Sequence, residues 1–339
     1  MSDRPTGVAL SVLDIAPVVV GSTAAQALRD TLDLARQVER LGYLRHWFSE
    51  HHNTLSLAAS APALLVAEVA GATERLRVGA GGVLLANHRP LVVAEQFGTL
   101  AAFHPGRIDL GIGPAVGTVS PAAVLALRGE SGPVAAGLFA ERTEELLRLM
   151  NPEPGAVVTV TPRPDAWPPV WVLGRDEDEA ALAGRLGLPF VFGYHFSPHT
   201  VDRALRAYRD AFRPSEQLAR PYVVLDVMVL LADTEERALH LAGPLEVAAL
   251  QMRDGYVGPY LRPEDVARTG YSTEQRAEVR GQFATQVVGG PAAGRRKLAE
   301  LLERTGADEL MAITIVTDHA ARVRSYELLA GICAELRTG

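Results

Sequence analysis

The feature that most constrains this chain is a repeated grammar: a short apolar run, a longer stretch with apolar residues at helical spacing, then another short run. Residues 8–13 read as a strand, and 24–41 follow with Leu28, Leu32, Ala35, Val38 and Leu41 on one helical face before Gly42 closes the helix. The same pattern gives strands at 43–48, 76–81 and 107–112, with helices at 61–72 and 92–103. A Gly/Pro/Ala-rich stretch then leads to a helix at 134–150, and 157–160 reads as an excursion outside the main architecture. Strands at 169–173, 190–192, 222–231 and 310–316 complete a set of eight, each followed by a helical pattern. Eight strands alternating with helices predict a closed (β/α)8 barrel occupying residues 1–339 as a single domain, with insertions between strands. The stretch 251–290, rich in Gly and Pro and then polar, is too long for an idle connection and reads as a lid over the barrel mouth.

Composition narrows the function classes. A chain of 339 residues, 48% hydrophobic, buries a core large enough for such a barrel. Its net charge of -7 and the lack of a sustained Lys/Arg block argue against nucleic acid or an anionic membrane as partner and favour a small-molecule substrate. The single cysteine, Cys333, excludes an intrachain disulfide framework and sits in an apolar helical pattern as a packed thiol. There is no charged leader followed by an apolar stretch, nor a window of about 20 apolar residues that would span a bilayer. The expectation is a cytoplasmic enzyme.

In barrels of this kind the chemistry lies at the carboxyl ends of the strands. The second strand ends in Ser49-Glu50-His51-His52-Asn53, the densest polar burst at such a position. Gly81-Gly82 with Asn87-His88, Gly111-Ile112-Gly113-Pro114, and Tyr194-His195-Phe196 fall at other strand ends and face the same mouth. One histidine alone is more often structural or solvated than catalytic; several sharing one mouth shift the balance toward His51, His52 and His195 as proton carriers. A metal centre is not expected, because there is no HExxH, no His-Xaa-His on the first strand, and adjacent His51 and His52 are poorly placed to chelate one ion. Gly81-Gly82 has two readings that the sequence leaves open: close approach of a flat ligand to the backbone, or a tight packing point. Leu55, Leu57, Tyr194 and Phe196 suggest an aromatic or polyketide-like substrate, and core packing accounts for them equally well.

Taken together these residues resemble the bacterial luciferase-like flavin-dependent monooxygenase superfamily. The resemblance is carried by Glu50-His51-His52-Asn53, Ser60-Ala61-Pro62, the run from Val78 to Leu85, Asn87-His88, Val93 to Leu100, Pro105 to Gly111, and Arg304 to Met311, and it covers nearly the whole chain. It implies a TIM barrel, usually a homodimer or a heterodimer with a homologue, that takes reduced FMN from a separate flavin reductase and activates O2 at the flavin C4a position. His51 would be the acid/base residue, His52, Asn87, His88 and His195 would line the flavin or substrate side, and Gly81-Gly82 would carry an often cis peptide beneath the ring. The family pattern departs at the phosphate end. Pro114 stands where an arginine is usual, offering neither a guanidinium nor an N–H, and Gly174-Arg175-Asp176-Glu177-Asp178-Glu179 stands where small hydroxyl residues open the helix after the fifth strand. Gly174 and Arg175 remain the candidates for holding the phosphate, with Arg175 as replacement cation. Three readings follow: an oxygenase with weakly held or rearranged FMN, a flavin-free isomerase, cyclase or cofactor-free oxygenase, and a non-catalytic partner of a homologous subunit.

Overall fold

The computed structural model describes residues 8–336. Its parallel strands are β1 (Ala9–Asp14), β2 (Arg45–Phe48), β3 (Arg77–Leu84), β4 (Ile108–Gly113), β5 (Val170–Gly174), β6 (Phe190–Gly193), β7 (Val223–Leu231), β8 (Val287–Gly289) and β9 (Glu309–Ile313). Strands β1 to β7 pair in sequence order; β9 pairs with both β7 and β1 and closes an eight-stranded barrel. The expected (β/α)8 TIM barrel is therefore the observed fold. The short β8 stands outside the closed ring, paired only with Val229–Leu231 at the end of β7. Three residues bounded by a loop and a helix leave too little alternation for sequence reading to find it.

Period-two alternation sorts each strand between two cores. Val12, Phe48, Val78, Leu110 and Leu225 face the helices, whereas Leu13, Trp47, Trp171, Val224 and Met311 fill the barrel interior. Register places Leu13 beside Trp47 and Trp47 beside Gly79. A Cβ on Gly79 would come within 2.8 Å of the Trp47 indole nitrogen, one on Gly81 within 2.7 Å of Leu13 Cδ1, and one on Gly111 within 2.2 Å of the Ala80 carbonyl oxygen. Glycine on these positions makes room for the wholly buried Trp47, which stacks edge-on against Trp171. Below it, Arg45 pairs with Asp109 and Glu309, closing the amino-terminal end of the barrel with a buried ionic plug.

The helix expected at 134–150 begins at Leu138, after Gly137 in the left-handed region. The preceding Gly/Pro/Ala stretch contains a further helix, Pro121–Arg128, capped by the Ser120 side chain and stopped by Gly129. That helix has no buried residue, so it lacks the apolar stripe by which a helix is recognised in sequence. Residues 251–290 are built from the end of the helix Glu235–Arg253, a 3-10 turn Pro263–Arg268, the helix Thr273–Gln282 and β8. They are clipped to the barrel. The buried Glu246 carboxylate receives two hydrogen bonds from Arg280, and Tyr260 exchanges backbone hydrogen bonds of 2.8 Å with Val18 and Val20, in the loop after β1.

Candidate active site

The loop leaving β2 is anchored before any ligand is considered: the His51 N–H donates to the Ala59 carbonyl at 2.9 Å and the His52 N–H to the Gly117 carbonyl at 2.8 Å. Asn53 then turns the chain with φ +53°, a conformation asparagine tolerates better than most residues. Glu50 is the keystone. Its side chain is buried, yet Oε1 receives Nε2 of His52 at 2.8 Å and Nε2 of His88 at 2.7 Å, and Oε2 accepts the Leu84 N–H at 3.1 Å. Burial disfavours its charge, but the hydrogen bonds and charge of His88, with those of His52 and the Leu84 N–H, hold its acidity below the usual carboxylate range. One carboxylate thus joins the end of β2, the end of β3 and the loop that carries His88. Arg142 braces that loop from outside, donating to the carbonyls of Leu85 and His88.

His51 is left with a different task. Its Nδ1 lies 2.9 Å from Ser49 Oγ, so with the proton on Nδ1 the other ring nitrogen is a free acceptor. Burial, and then the neighbouring His195 and His52, lower its pKa to about 4 against a smaller pull from Glu50. It is a neutral imidazole at neutral pH. His195, after β6, has the opposite setting: its Nδ1 is 3.1 Å from Asp226 Oδ2 on β7, and its side chain is only 7% exposed. Burial works against its charge, but Asp226, by charge and hydrogen bonding, outweighs it and raises the pKa above the ordinary histidine value. Two imidazoles within electrostatic reach of one another are therefore pushed apart in acidity, which is the arrangement acid/base chemistry requires.

The site residues read from sequence separate into groups. His51 and His195 carry opposed acidities, whereas the Nε2 atoms of His52 and His88 are engaged as struts on Glu50. Asn87 donates to the Val116 carbonyl at 3.1 Å and keeps its Oδ1 buried without a partner. Gly81-Gly82 forms a cis peptide within an irregularity of the β3–β4 register. A Cβ on Gly82 would meet the Gly111 carbonyl oxygen at 2.8 Å, so packing alone already demands glycine there. Asp226 was not singled out from sequence. Its signal is a lone carboxylate in the otherwise apolar nine-residue strand VVLDVMVLL. Of the apolar neighbours, Tyr194 is buried and Phe196 and Leu55 are exposed. Among the described residues, no group of three or more His, Cys, Asp and Glu side chains is placed to hold a metal ion, and no helix is long and apolar enough to cross a membrane.

The profile of the luciferase-like monooxygenase family matches residues 10–309. This chain belongs to that family. It is 38% identical over 337 residues to a luciferase-like monooxygenase of Escherichia coli strain K12, covering 99% of both chains. It is 36% identical over 254 residues to the N-acetyl-S-alkylcysteine monooxygenase of Bacillus subtilis strain 168, covering 73% of this chain and 74% of that one. The crystal structure of apo-MsnO8 superposes with a TM-score of 0.87 at 36% identity, covering 96% of this chain and 98% of that one. The chain is thus an enzyme of the monooxygenase class.

For this luciferase-like barrel a flavin-type cofactor is implied, and the ring and the phosphate of such a molecule would meet different surroundings. Among the described residues, Asn87 Oδ1 and Asp226 Oδ1 are buried acceptors without partners, each suited to receive an N–H donor. At the end of β5 the fit fails for a phosphate. Glu179 folds back over Gly174, where an added Cβ would lie 2.4 Å from Glu179 Cβ, and its Oε2 accepts the Arg175 N–H at 3.3 Å. The Asp176 side chain caps the helix Glu177–Arg185 by accepting the Asp178 N–H at 3.0 Å. Arg175 is exposed. Two of the N–H groups that would greet an anion, those of Arg175 and Asp178, are already answered by carboxylates.

If Asp226 sets the acidity of His195, Asp226→Asn moves the alkaline limb of the rate profile to lower pH. With His195 as the proton donor, activity would be full below its pKa and lost as pH rises through it; removing the carboxylate lowers that pKa. A kcat profile from pH 5 to 10 checks this, and an unmoved alkaline limb would show that His195 is not the titrating acid.

Proposed function

We propose that this protein inserts one oxygen atom from O2 into a small organic substrate, using reduced flavin delivered by a separate reductase. The other oxygen atom leaves as water, and the flavin, when bound, supplies the two electrons. The observation that carries the reading is the pair of imidazoles at one mouth, His51 with Nδ1 on the Ser49 hydroxyl and His195 with Nδ1 on the Asp226 carboxylate, settings that favour a neutral ring in the first and a proton on the second. His51 Nε2 accepts a proton from the substrate or from water as oxygen is transferred, and His195 returns one to the leaving oxygen. Glu50, through His52 and His88, fixes the loops on either side, and residues 251–290 exclude water as a lid anchored at Tyr260. The N-acetyl-S-alkylcysteine monooxygenase likeness supports a small organic substrate.

A second reading is favoured by Glu179 at the helix start: an acid/base enzyme, an isomerase or cyclase or cofactor-free oxygenase, that keeps the imidazole pair and works without flavin. One experiment separates them. Purified protein is incubated with a panel of small aromatic and thioether substrates under 18O2, with and without a flavin reductase, flavin and NADH. Product carrying one 18O only in the complete system supports the oxygenase; equal turnover in dialysed, colourless protein sinks it in favour of the second reading.

A further inference from the structure

The disagreement between the two ends of the cofactor site has a direction. Among the described residues, Asn87 Oδ1 after β3 and the Oδ1 of Asp226 on β7, a residue only 3% exposed, are buried acceptors without a partner, and each would receive an N–H donor of a flavin ring that reached it. A terminal phosphate held at the end of β5, where the resemblance puts it, would by contrast meet Asp176, Glu177, Asp178 and Glu179 at one helix start. It would also meet Pro114 after β4, which has no N–H to give. These carboxylates are not all loose surface charges. Glu179 is half-buried against Gly174, and its Oε2 holds the Arg175 N–H. The loop itself is fixed from the next βα unit, with Thr200 Oγ1 donating to the Arg175 carbonyl at 2.9 Å. Burial, and then the adjoining Asp176 carboxylate, push Glu179 up to about 7 despite the opposing N–H groups of Arg175 and Asp176. The place already carries more negative charge than it solvates well.

We propose that this site selects a flavin whose side chain ends in a neutral alcohol, as in riboflavin, and rejects the same ring carrying a phosphate. This deepens the flavin reading and rests on it. The ribityl hydroxyls donate hydrogen bonds, so carboxylates that repel a phosphate accept an alcohol. A unit charge about 6 Å from one carboxylate, at an effective dielectric constant of about 40, is disfavoured by a factor of about ten, and a phosphate here faces more than one.

The test is an anaerobic titration of the full-length protein with dithionite-reduced riboflavin and reduced FMN, followed by calorimetric heat. Reduced riboflavin binding at least about tenfold tighter than reduced FMN supports the proposal. Equal affinities, or tighter FMN, overturn it while leaving the flavin reading intact. Saturation by neither at about millimolar flavin overturns the proposal and the flavin reading together. Glu179→Gln and Glu179→Ala, neither of which touches the imidazole pair, give the second arm. At about pH 8.5, where Glu179 is ionised, each is expected to raise FMN affinity by about tenfold while lowering riboflavin affinity, through the loss of one hydroxyl acceptor, so that the preference for riboflavin shrinks by at least about tenfold. FMN affinity unchanged in both variants, with the fold verified by circular dichroism, overturns the assignment of Glu179 as the excluding group.

Discussion

Replacing His51 by alanine lowers turnover by about 10²–10⁴-fold, the range expected when a positioned proton acceptor is removed. The size of the effect follows from how much of the surrounding structure serves this one ring. Ser49 fixes Nδ1 at 2.9 Å, and the backbone N–H of His51 is tied to Ala59. Burial keeps the ring neutral down to a pKa of about 4, so the acceptor is present over the whole neutral range and is lost as pH falls through that value. His51→Gln tests the proton-accepting role more narrowly, since glutamine still hydrogen bonds to Ser49 but takes no proton at neutral pH. Both variants should turn over at the same low rate and melt within a few degrees of the parent, because the ring is only half-buried and leaves no large core cavity. Single-turnover product yield, measured beside thermal unfolding, checks the expectation. A His51→Gln protein retaining turnover within about threefold of the parent would move the acceptor role to another group.

What the sequence made legible is what depends on short-range pattern. The alternation of apolar runs and helical stretches led to the barrel, and polar bursts at strand ends led to His51, His52, His88 and His195, because strand ends in such a barrel share one face. Pairings across the fold were not legible. Nothing in the sequence links Glu50 to His88, 38 positions away. Nor does it link His195 to Asp226, which lies on the next strand and reads as a flaw in an apolar segment. The acidic run from Asp176 to Glu179 reads equally as a solvated helix start, and only the contact of Glu179 with Gly174 shows that one of its carboxyls turns inward. The glycines of β3 and β4 are a further case. The need for glycine at Gly79, Gly81 and Gly111 comes from side chains and backbone of other strands, Trp47, Leu13 and the Ala80 carbonyl among them, and at Gly82 from the Gly111 carbonyl.

A further pairing illegible in the sequence, Asp14 with Arg322, 308 positions away, gives the largest expected change in stability. Asp14, at the end of β1, is fully buried; its Oδ1 accepts from Arg322 Nη2 at 2.6 Å and from the Ala16 N–H at 2.8 Å. Its Oδ2 accepts from Thr31 Oγ1 at 2.9 Å and lies 3.3 Å from His46 Nε2. Arg322, on the helix His319–Glu335, also donates to the Thr314 carbonyl at 3.0 Å. The cluster joins β1, β2, the helix Ala24–Arg40 and the final helix, beside the seam where β9 meets β1. Arg322→Ala leaves a fully buried carboxylate without its main charged partner, so it should cost about 3–5 kcal/mol in urea-induced unfolding. Asp14→Ala should cost a similar amount, and the double variant much less than the sum, because each single change deprives the other buried charge of its main partner. Burial disfavours the Asp14 carboxylate, but Arg322 and His46 overcome it and hold its pKa well below the usual range. A depressed folded-state pKa stabilises the protein at pH above the unfolded value of about 3.9, and that contribution is lost only as pH falls toward the folded one. The parent should therefore resist mild acid better than Arg322→Ala does. A loss of under about 1 kcal/mol in either single variant would mean that the network is dispensable and that the seam is held by apolar packing alone.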